Sequence, residues 1–352
     1  MSKNQLRIEQ FDTVLYNSNL NPMGVPESVK KAMAEYSDSV MRYPDEYYPA
    51  LKNTLASYAG CKGNQLVLGS GSSDLLRIFI SLLAPKKAMV LVPSFTEYEK
   101  VLELFGCEIV YYELDESKNY EFDIADFVGH LDSSIDLIIL GNPNNPTSQI
   151  ISRDDMETMA EVCKELDTFL LIDEMYIEFV DKYQDVTAVP MVESYDNIAV
   201  LRSTSKFFAV PGLRLAYAIM ANEEYMKILN ITSAPNPISS VTAAVCTQML
   251  KDKKYIKESV SQIYTERNLI VSAMSTSKHI KLYKPSANFM LVQILKDGVT
   301  ANQIAEHCKL KGIVIRNCEN IRGLSDKFIR FCFMKPSQND LLVNTILEVF
   351  KD

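Results

Sequence analysis

Histidine is scarce in this chain of 352 residues. His130, His279 and His307 lie far apart, and no HxxxH or HxxE spacing joins them, so the usual signature of a metal centre is missing and none is expected. The seven cysteines (Cys61, Cys107, Cys163, Cys246, Cys308, Cys318 and Cys332) are odd in number and never form a CxxC. That argues against a disulfide framework and a zinc site, and leaves them as small buried apolar residues. No run of 18 apolar residues occurs, and the opening MSKNQLRIEQFD has no apolar core segment. A membrane span and a secretion signal are therefore not indicated, and a cytoplasmic protein without membrane contact is expected. Basic blocks are absent too. With 36 basic against 45 acidic residues the formal net charge is −9, which speaks against nucleic acid as a partner and for small-molecule chemistry. A dinucleotide fingerprint is missing, because Asp74 stands at the third glycine position of GSGSSD, and there is no GxxxxGK(S/T) phosphate loop. Internal repeats and low-complexity linkers are also lacking.

What is present is the balance of a globular protein, 47% hydrophobic and 23% charged, in a length that suits one large and one smaller domain. From residue 65 short apolar runs alternate with helical patterns: QLVLGS and a helix from Ser72, AMVLVP from 88 and a helix through Glu97, then EIVYYEL from 108. DLIIL (136–140), FLLID (169–173) and NIAVLRS (197–203) continue the series. None of these runs alternates, as expected of strands buried on both faces, and βαβ order predicts an α/β fold with a large, mostly parallel sheet and helices on both faces. After the strand LAYAIMA (215–221) helices dominate to about 276, interrupted at Pro235 and Pro237. ANFMLVQI (287–294), a helix from Thr300, GIVIRN (312–317), KFIRFCF (327–333) and a helix from Ser337 predict a smaller α+β C-terminal domain.

Several chemically apt residues fall at predicted strand ends, where α/β sheets bind ligands. Ser203, Ser205 and Lys206 follow NIAVLR, and Arg214 stands eight residues beyond the lysine in VPGLR. Two hydroxyls, an amine and a guanidinium make a phosphate site beside a reactive lysine. A lone lysine after a strand is ordinarily a solvated surface residue, but the aromatics of STSKFF argue for burial and a lowered pKa. Asp173 follows four apolar residues in FLLID, a costly place for a carboxylate unless a cation meets it or it caps a following helix. Tyr176 lies three residues on. GNPNNPT (141–147) is a loop made rigid by two prolines and carries Asn145. Ser70, Gly71 and Ser72 link a strand to a helix start, where backbone N–H groups attract anions. Phe95 in PSFTEY is either a ring to stack on a ligand or a core aromatic.

A lysine, an acid for a pyridine nitrogen, donors for a phosphate and a stacking ring are what pyridoxal 5′-phosphate asks of a protein. In that frame Lys206 forms the Schiff base, Asp173 faces the ring nitrogen, and Asn145 and Tyr176 reach the 3′-oxygen. The order NPNNPT, LIDEMY, STSK, PGLR resembles the class I/II aminotransferases of pyridoxal-phosphate fold type I over nearly the whole chain. Within that family the chain is similar to the histidinol-phosphate aminotransferases and, closer still, through NLNPMGVPESVK (19–30), MRYPDEYY (41–48), PSFTEY (93–98), LRSTSKFFAVPGLR and IRNCENIRGL (315–324), to the threonine-phosphate decarboxylases.

The resemblance implies an N-terminal arm (1–25), a large cofactor-binding domain (26–240) and a small C-terminal domain (241–352). It implies a homodimer with shared active sites, in which Tyr43 reaches the cofactor phosphate of the neighbouring subunit. Arg330 would bind the substrate carboxylate, Arg316 a second anion, and Asn19 would cover the substrate. Two departures stand out: the histidine- and glycine-rich N-terminal stretch of the decarboxylases is missing, and Ser148 in NPTSQ replaces a usual glycine. The expected activity is amino transfer from a small amino acid with a second anionic group to a 2-oxo acid. The alternative is decarboxylation of a phosphorylated amino acid.

Overall fold

The computed structural model describes residues 13–232 and 236–351. The opening segment MSKNQLRIEQFD and Pro235 lie outside the described residues.

The chain enters through a short strand, β1 (Val14–Leu15), followed by helices α1 (Glu27–Glu35) and α2 (Pro49–Ala59). It then builds a seven-stranded sheet from β2 (Leu66–Gly69), β3 (Lys87–Val92), β4 (Glu108–Glu113), β5 (Leu137–Gly141), β6 (Phe169–Asp173), β7 (Ile198–Ser203) and β8 (Ala216–Ile219). Their order is β2-β8-β7-β6-β5-β3-β4, and every pairing is parallel except those of β8 with β2 and β7. The continuous apolar runs explain the sheet's position. Every residue of β5, β6 and β7 is buried, and alternate residues serve opposite layers. Ile139, Leu171 and Leu201 pack with α3 (Ser72–Leu83), α4 (Glu97–Leu104) and α7 (Glu223–Thr232), whereas Ile138, Leu140, Leu170 and Ile172 face α5 (Ile124–Val128), α6 (Arg153–Glu165) and α8 (Ser240–Met249). Helix α3 shows the matching logic: Leu75, Leu76, Phe79 and Ile80 form one buried stripe.

After the long helix α9 (Lys253–Met274) comes a four-stranded antiparallel sheet of β9 (Ile280–Leu282), β10 (Phe289–Ile294), β12 (Arg316–Asn317) and β13 (Phe328–Cys332), in the order β12-β13-β10-β9. Helix α10 (Ala301–Leu310) begins where expected, with Thr300 as its cap, and α11 (Pro336–Glu348) closes the chain. One expectation is corrected. The run 312–317 is not one strand but two, β11 (Ile313–Val314) and β12. β11 leaves the antiparallel sheet and pairs in parallel with β1, so the N-terminal segment takes half of what the sequence offered as one element.

Candidate active site

The parallel strands β2, β3, β5, β6 and β7 end on one edge of the sheet, and β8, running the other way, begins there. Loop residues with special chemistry therefore converge although they are far apart in sequence. A cavity of about 190 Å³ at this edge is walled by Ser72, Ser73, Phe95, Asn145, Asp173, Tyr176, Ser205, Lys206 and Arg214, among others.

At one end is a cradle of donors. Gly71 has φ of +95°, and a Cβ there would lie 2.0 Å from Arg214 Nη2, so only glycine lets the guanidinium settle on the loop. Arg214 donates to Ser70 O (3.2 Å) and Pro211 O (3.3 Å). Ser72 and Ser73 are the first two residues of α3, so their own N–H groups have no carbonyl partner within the helix. Ser203 stands behind the wall. Its hydroxyl accepts from Ser205 N (3.2 Å) and donates to Ser205 Oγ (2.9 Å), bracing the serine that lines the cavity.

Lys206 donates from Nζ to Ser18 O at 2.7 Å. Burial, and then the charge of Arg330, push its amine down to about 8. Phe207 and Phe208, both fully buried, hold the backbone on which it stands. Asp173 ends β6. Burial raises its carboxyl to about 6, although Oδ2 accepts from Tyr98 (2.8 Å) and Oδ1 from Met175 N (2.9 Å). No α-helix lies between it and β7, and the next helical element is a 3₁₀ turn at Ile177–Phe179. Phe95 meets Tyr98 edge to face, with ring centroids 5.6 Å apart.

Opposite the lysine stands Arg330 on β13. Its Nη1 donates to Asn145 Oδ1, its Nη2 to Asn17 O (2.8 Å), and its guanidinium carbon lies 5.5 Å from the centre of the Phe289 ring. Its buried Nε has no acceptor among the described residues. Arg316 is the cross-strand partner of Arg330, so the two side chains share one face of the sheet, and Arg316 donates to Asn320 Oδ1 (2.7 Å). Among the described residues the arginines ion-paired to carboxylates are Arg202, with Glu174, and Arg322, with Glu99; Arg316 and Arg330 are not. Asn19 is buried and donates to the Tyr176 hydroxyl (3.3 Å), while its carbonyl accepts from Asn288 (3.0 Å).

Of the expected residues, Asn19, Tyr43, Ser70, Gly71, Ser203, Arg316 and Arg330 do not line this cavity, and Tyr43 among them is 88% exposed. Tyr98, Ser18 and Asn320 were not anticipated. Tyr98 had a signal, since a buried strand-end carboxylate needs a donor and PSFTEY supplies one next to Phe95. Ser148, at the position of the usual glycine, keeps a left-handed φ of 63°, and its Oγ accepts from Ser286 N (3.2 Å) and Ala287 N (2.9 Å).

Residues 12–346 match the family described as aminotransferase class I and II. A protein of Caldanaerobacter subterraneus subsp. tengcongensis provisionally named threonine-phosphate decarboxylase is 32% identical over 95% of this chain and 90% of its own length. A histidinol-phosphate aminotransferase of the same organism is 30% identical over 95% and 92%. The crystal structure of the histidinol-phosphate aminotransferase from Clostridium acetobutylicum is similar with a TM-score of 0.88, at 29% identity, over 96% of this chain and 98% of that one.

Proposed function

The chain belongs to the aminotransferase class I and II family, and we propose that it is a pyridoxal 5′-phosphate enzyme that passes the amino group of a small amino acid with a second anionic group to a 2-oxo acid. The observation that carries the substrate class is the pair Arg330 and Arg316. Two adjacent cations without a carboxylate partner among the described residues disfavour each other until an anion joins them.

The residues fit the cofactor. Arg214 seated on Gly71, with Ser72, Ser73 and Ser205, forms a cup for its phosphate. Asp173 is an acid whose burial holds its carboxyl up near 6, and a protonated pyridine nitrogen would give it a cation partner. Bound there, pyridoxal phosphate supplies an electron-accepting ring that stabilises negative charge at the substrate Cα. Lys206, with an amine near 8, is poised both to attack an aldehyde carbon and to take the proton from that Cα. With its Oδ1 engaged by Arg330, Asn145 would turn its Nδ2 to donate toward the 3′-oxygen. Asn19 orients Tyr176 for the same task.

Amino transfer is favoured over decarboxylation by charge. A guanidinium that grips a carboxylate stabilises it as a carboxylate and opposes its loss as neutral carbon dioxide. The decarboxylase reading gains from the 32% identical relative and applies if Arg330 takes the phosphate instead. The test is turnover of aspartate, glutamate and phosphoserine with and without a 2-oxo acid. Amino transfer requires the acceptor. Acceptor-independent release of carbon dioxide would replace this reading with the other.

Exposed Val40, Met41, Tyr43 and Tyr47 support a homodimer in which Tyr43 completes the neighbour's phosphate cup. A cytoplasmic setting agrees with seven free thiols.

A further inference from the structure

The turn that follows β12 joins two things that are otherwise separate, the second arginine of the anion pair and the edge of the large sheet. On one side Asn320 Oδ1 accepts from Arg316 Nη2 at 2.7 Å. Two residues on, Arg322 reaches across to the large sheet. Its guanidinium carbon lies 4.0 Å from the centre of the Tyr111 ring on β4, and its Nε donates to Glu99 Oε2 on α4 at 3.3 Å. The Tyr111 hydroxyl donates to the same Glu99 oxygen at 3.0 Å, closing a three-membered cluster. Gly323 then lies so near the end of β3 that a Cβ would sit 3.2 Å from Pro93 N, and its carbonyl accepts from Tyr120 at 3.4 Å.

We propose that Arg322 is a positioning residue for substrate choice: by fixing the 318–324 turn to Glu99 and Tyr111 it holds Asn320, and through it Arg316, beside Arg330 where a second anion binds. This rests on the reading of Arg316 as the second-anion anchor. The reason a brace is needed is electrostatic. Arg316 and Arg330 face each other across adjacent strands, and like charges so placed push apart. The turn supplies the restoring contact from outside the small sheet. Arg322 touches neither Lys206 nor Asp173, so it acts on which substrate binds and leaves the proton transfers alone.

The experiment compares wild type, Arg322→Ala, Arg322→Lys, Arg316→Ala and the double Ala variant, all as cofactor-loaded protein. Calorimetry reads the binding of succinate and acetate, non-reacting anions with two carboxylates and one. Kinetics reads phosphoserine against alanine. Arg322→Ala should weaken succinate, and raise KM for phosphoserine, by about tenfold, the loss expected when a charge-assisted hydrogen bond is misaligned rather than removed. Acetate affinity, KM for alanine, kcat and the thermal midpoint should hold. Arg322→Lys should recover part of the loss, since it keeps the charge toward Glu99 without the flat stacking on Tyr111. Adding Arg322→Ala to Arg316→Ala should cost nothing further, because both act through one guanidinium. If Arg316→Ala discriminates between the anions and Arg322→Ala does not, or if their effects add, the positioning role is wrong while the anion pair stands. If Arg316→Ala treats all ligands alike, the anion-pair reading falls and takes this inference with it.

Discussion

Tyr98 donates its hydroxyl proton to Asp173 Oδ2 at 2.8 Å, joining the first turn of α4 to the end of a strand 75 positions away. That bond lowers the Asp173 pKa, whereas burial raises it further, to about 6. The sign of the pH effect follows. Without cofactor, the folded protein keeps this proton up to about 6, whereas the unfolded chain loses it near the ordinary aspartate value of 3.8. Stability from this group is complete below 3.8 and is lost as pH rises to about 6. Asp173→Asn should remove that slope from urea unfolding of the cofactor-free protein, and Tyr98→Phe should extend the window upward. In the loaded enzyme Asp173→Asn should lower turnover by roughly 10²–10³, the usual scale for losing a charge aimed at a developing one. Near wild-type turnover would make Asp173 a turn-forming residue only.

Lys206 should capture pyridoxal phosphate at a rate that rises with pH and levels off above about 8, because its neutral amine is the attacking form. Arg330→Gln removes one of the influences that depress this amine, so the midpoint should move upward. Lys206→Ala should bind the cofactor through the phosphate cup yet give no borohydride-fixed label at this position. A midpoint indifferent to Arg330→Gln would mean that burial alone sets the amine.

Tyr43→Phe and Lys206→Ala should complement each other. In a mixed dimer with shared sites, one site carries both lesions and the other neither, so activity should return in part when the two inactive or weakened proteins are mixed. A protein that is monomeric in sedimentation at working concentration would rule this out.

Arg202 and Glu174 form a fully buried ion pair behind β6 and β7, with Nη2 to Oε2 at 2.8 Å. Arg202→Leu leaves the Glu174 carboxyl buried without its cation partner and should cost about 3–5 kcal/mol in chemical unfolding. Adding Glu174→Gln should restore much of that loss. If the double variant is no better than the single one, the arginine contributes by packing rather than by charge.

Ser148 combines a left-handed backbone with two accepted hydrogen bonds, from Ser286 N and Ala287 N, that tie the NPNNPT loop to the approach of β10. Ser148→Ala keeps the strain and strands the buried Ala287 N–H, at about 1–3 kcal/mol. Ser148→Gly strands the same group but relieves roughly 1–2 kcal/mol of left-handed cost. The glycine variant should therefore melt above the alanine variant. The reverse order would show that the loop's rigidity comes from its prolines.

Strands ending at Gly141, Asp173 and Ser203 were legible because unbroken apolar runs have one use in a protein of this composition: strands covered on both faces. Lys206, Asp173 and Asn145 could be read as candidates because they stand at or just beyond the ends of such runs, and Arg214 because it stands just before the next strand, β8. The facing of Arg316 and Arg330 was not, since it depends on a register between β12 and β13 that no short turn fixes. The split of 312–317 was hidden for a related reason. Val14 and Leu15 claim Ile313 and Val314 from the other end of the chain, and nothing local at 315 announces the break. Ser18 as the partner of the Lys206 amine follows from that same docking, and a backbone carbonyl leaves no mark in a sequence.

Lys206 and Arg214 both sit in the connection between β7 and β8, an antiparallel pair that needs only a short loop to close. Ser70 and Gly71 arrive differently. The contact from Arg214 to Ser70 O spans 144 positions, and it exists only once β2, an outermost strand, has joined β8. Loop-closure entropy makes the first contact inexpensive and the second a late one in assembly. In the proposed cup a phosphate held by both loops would bind only chains whose sheet margin is complete, and its binding free energy would be added to that margin. A cofactor held in the proposed cup would act as a clasp on this outermost strand.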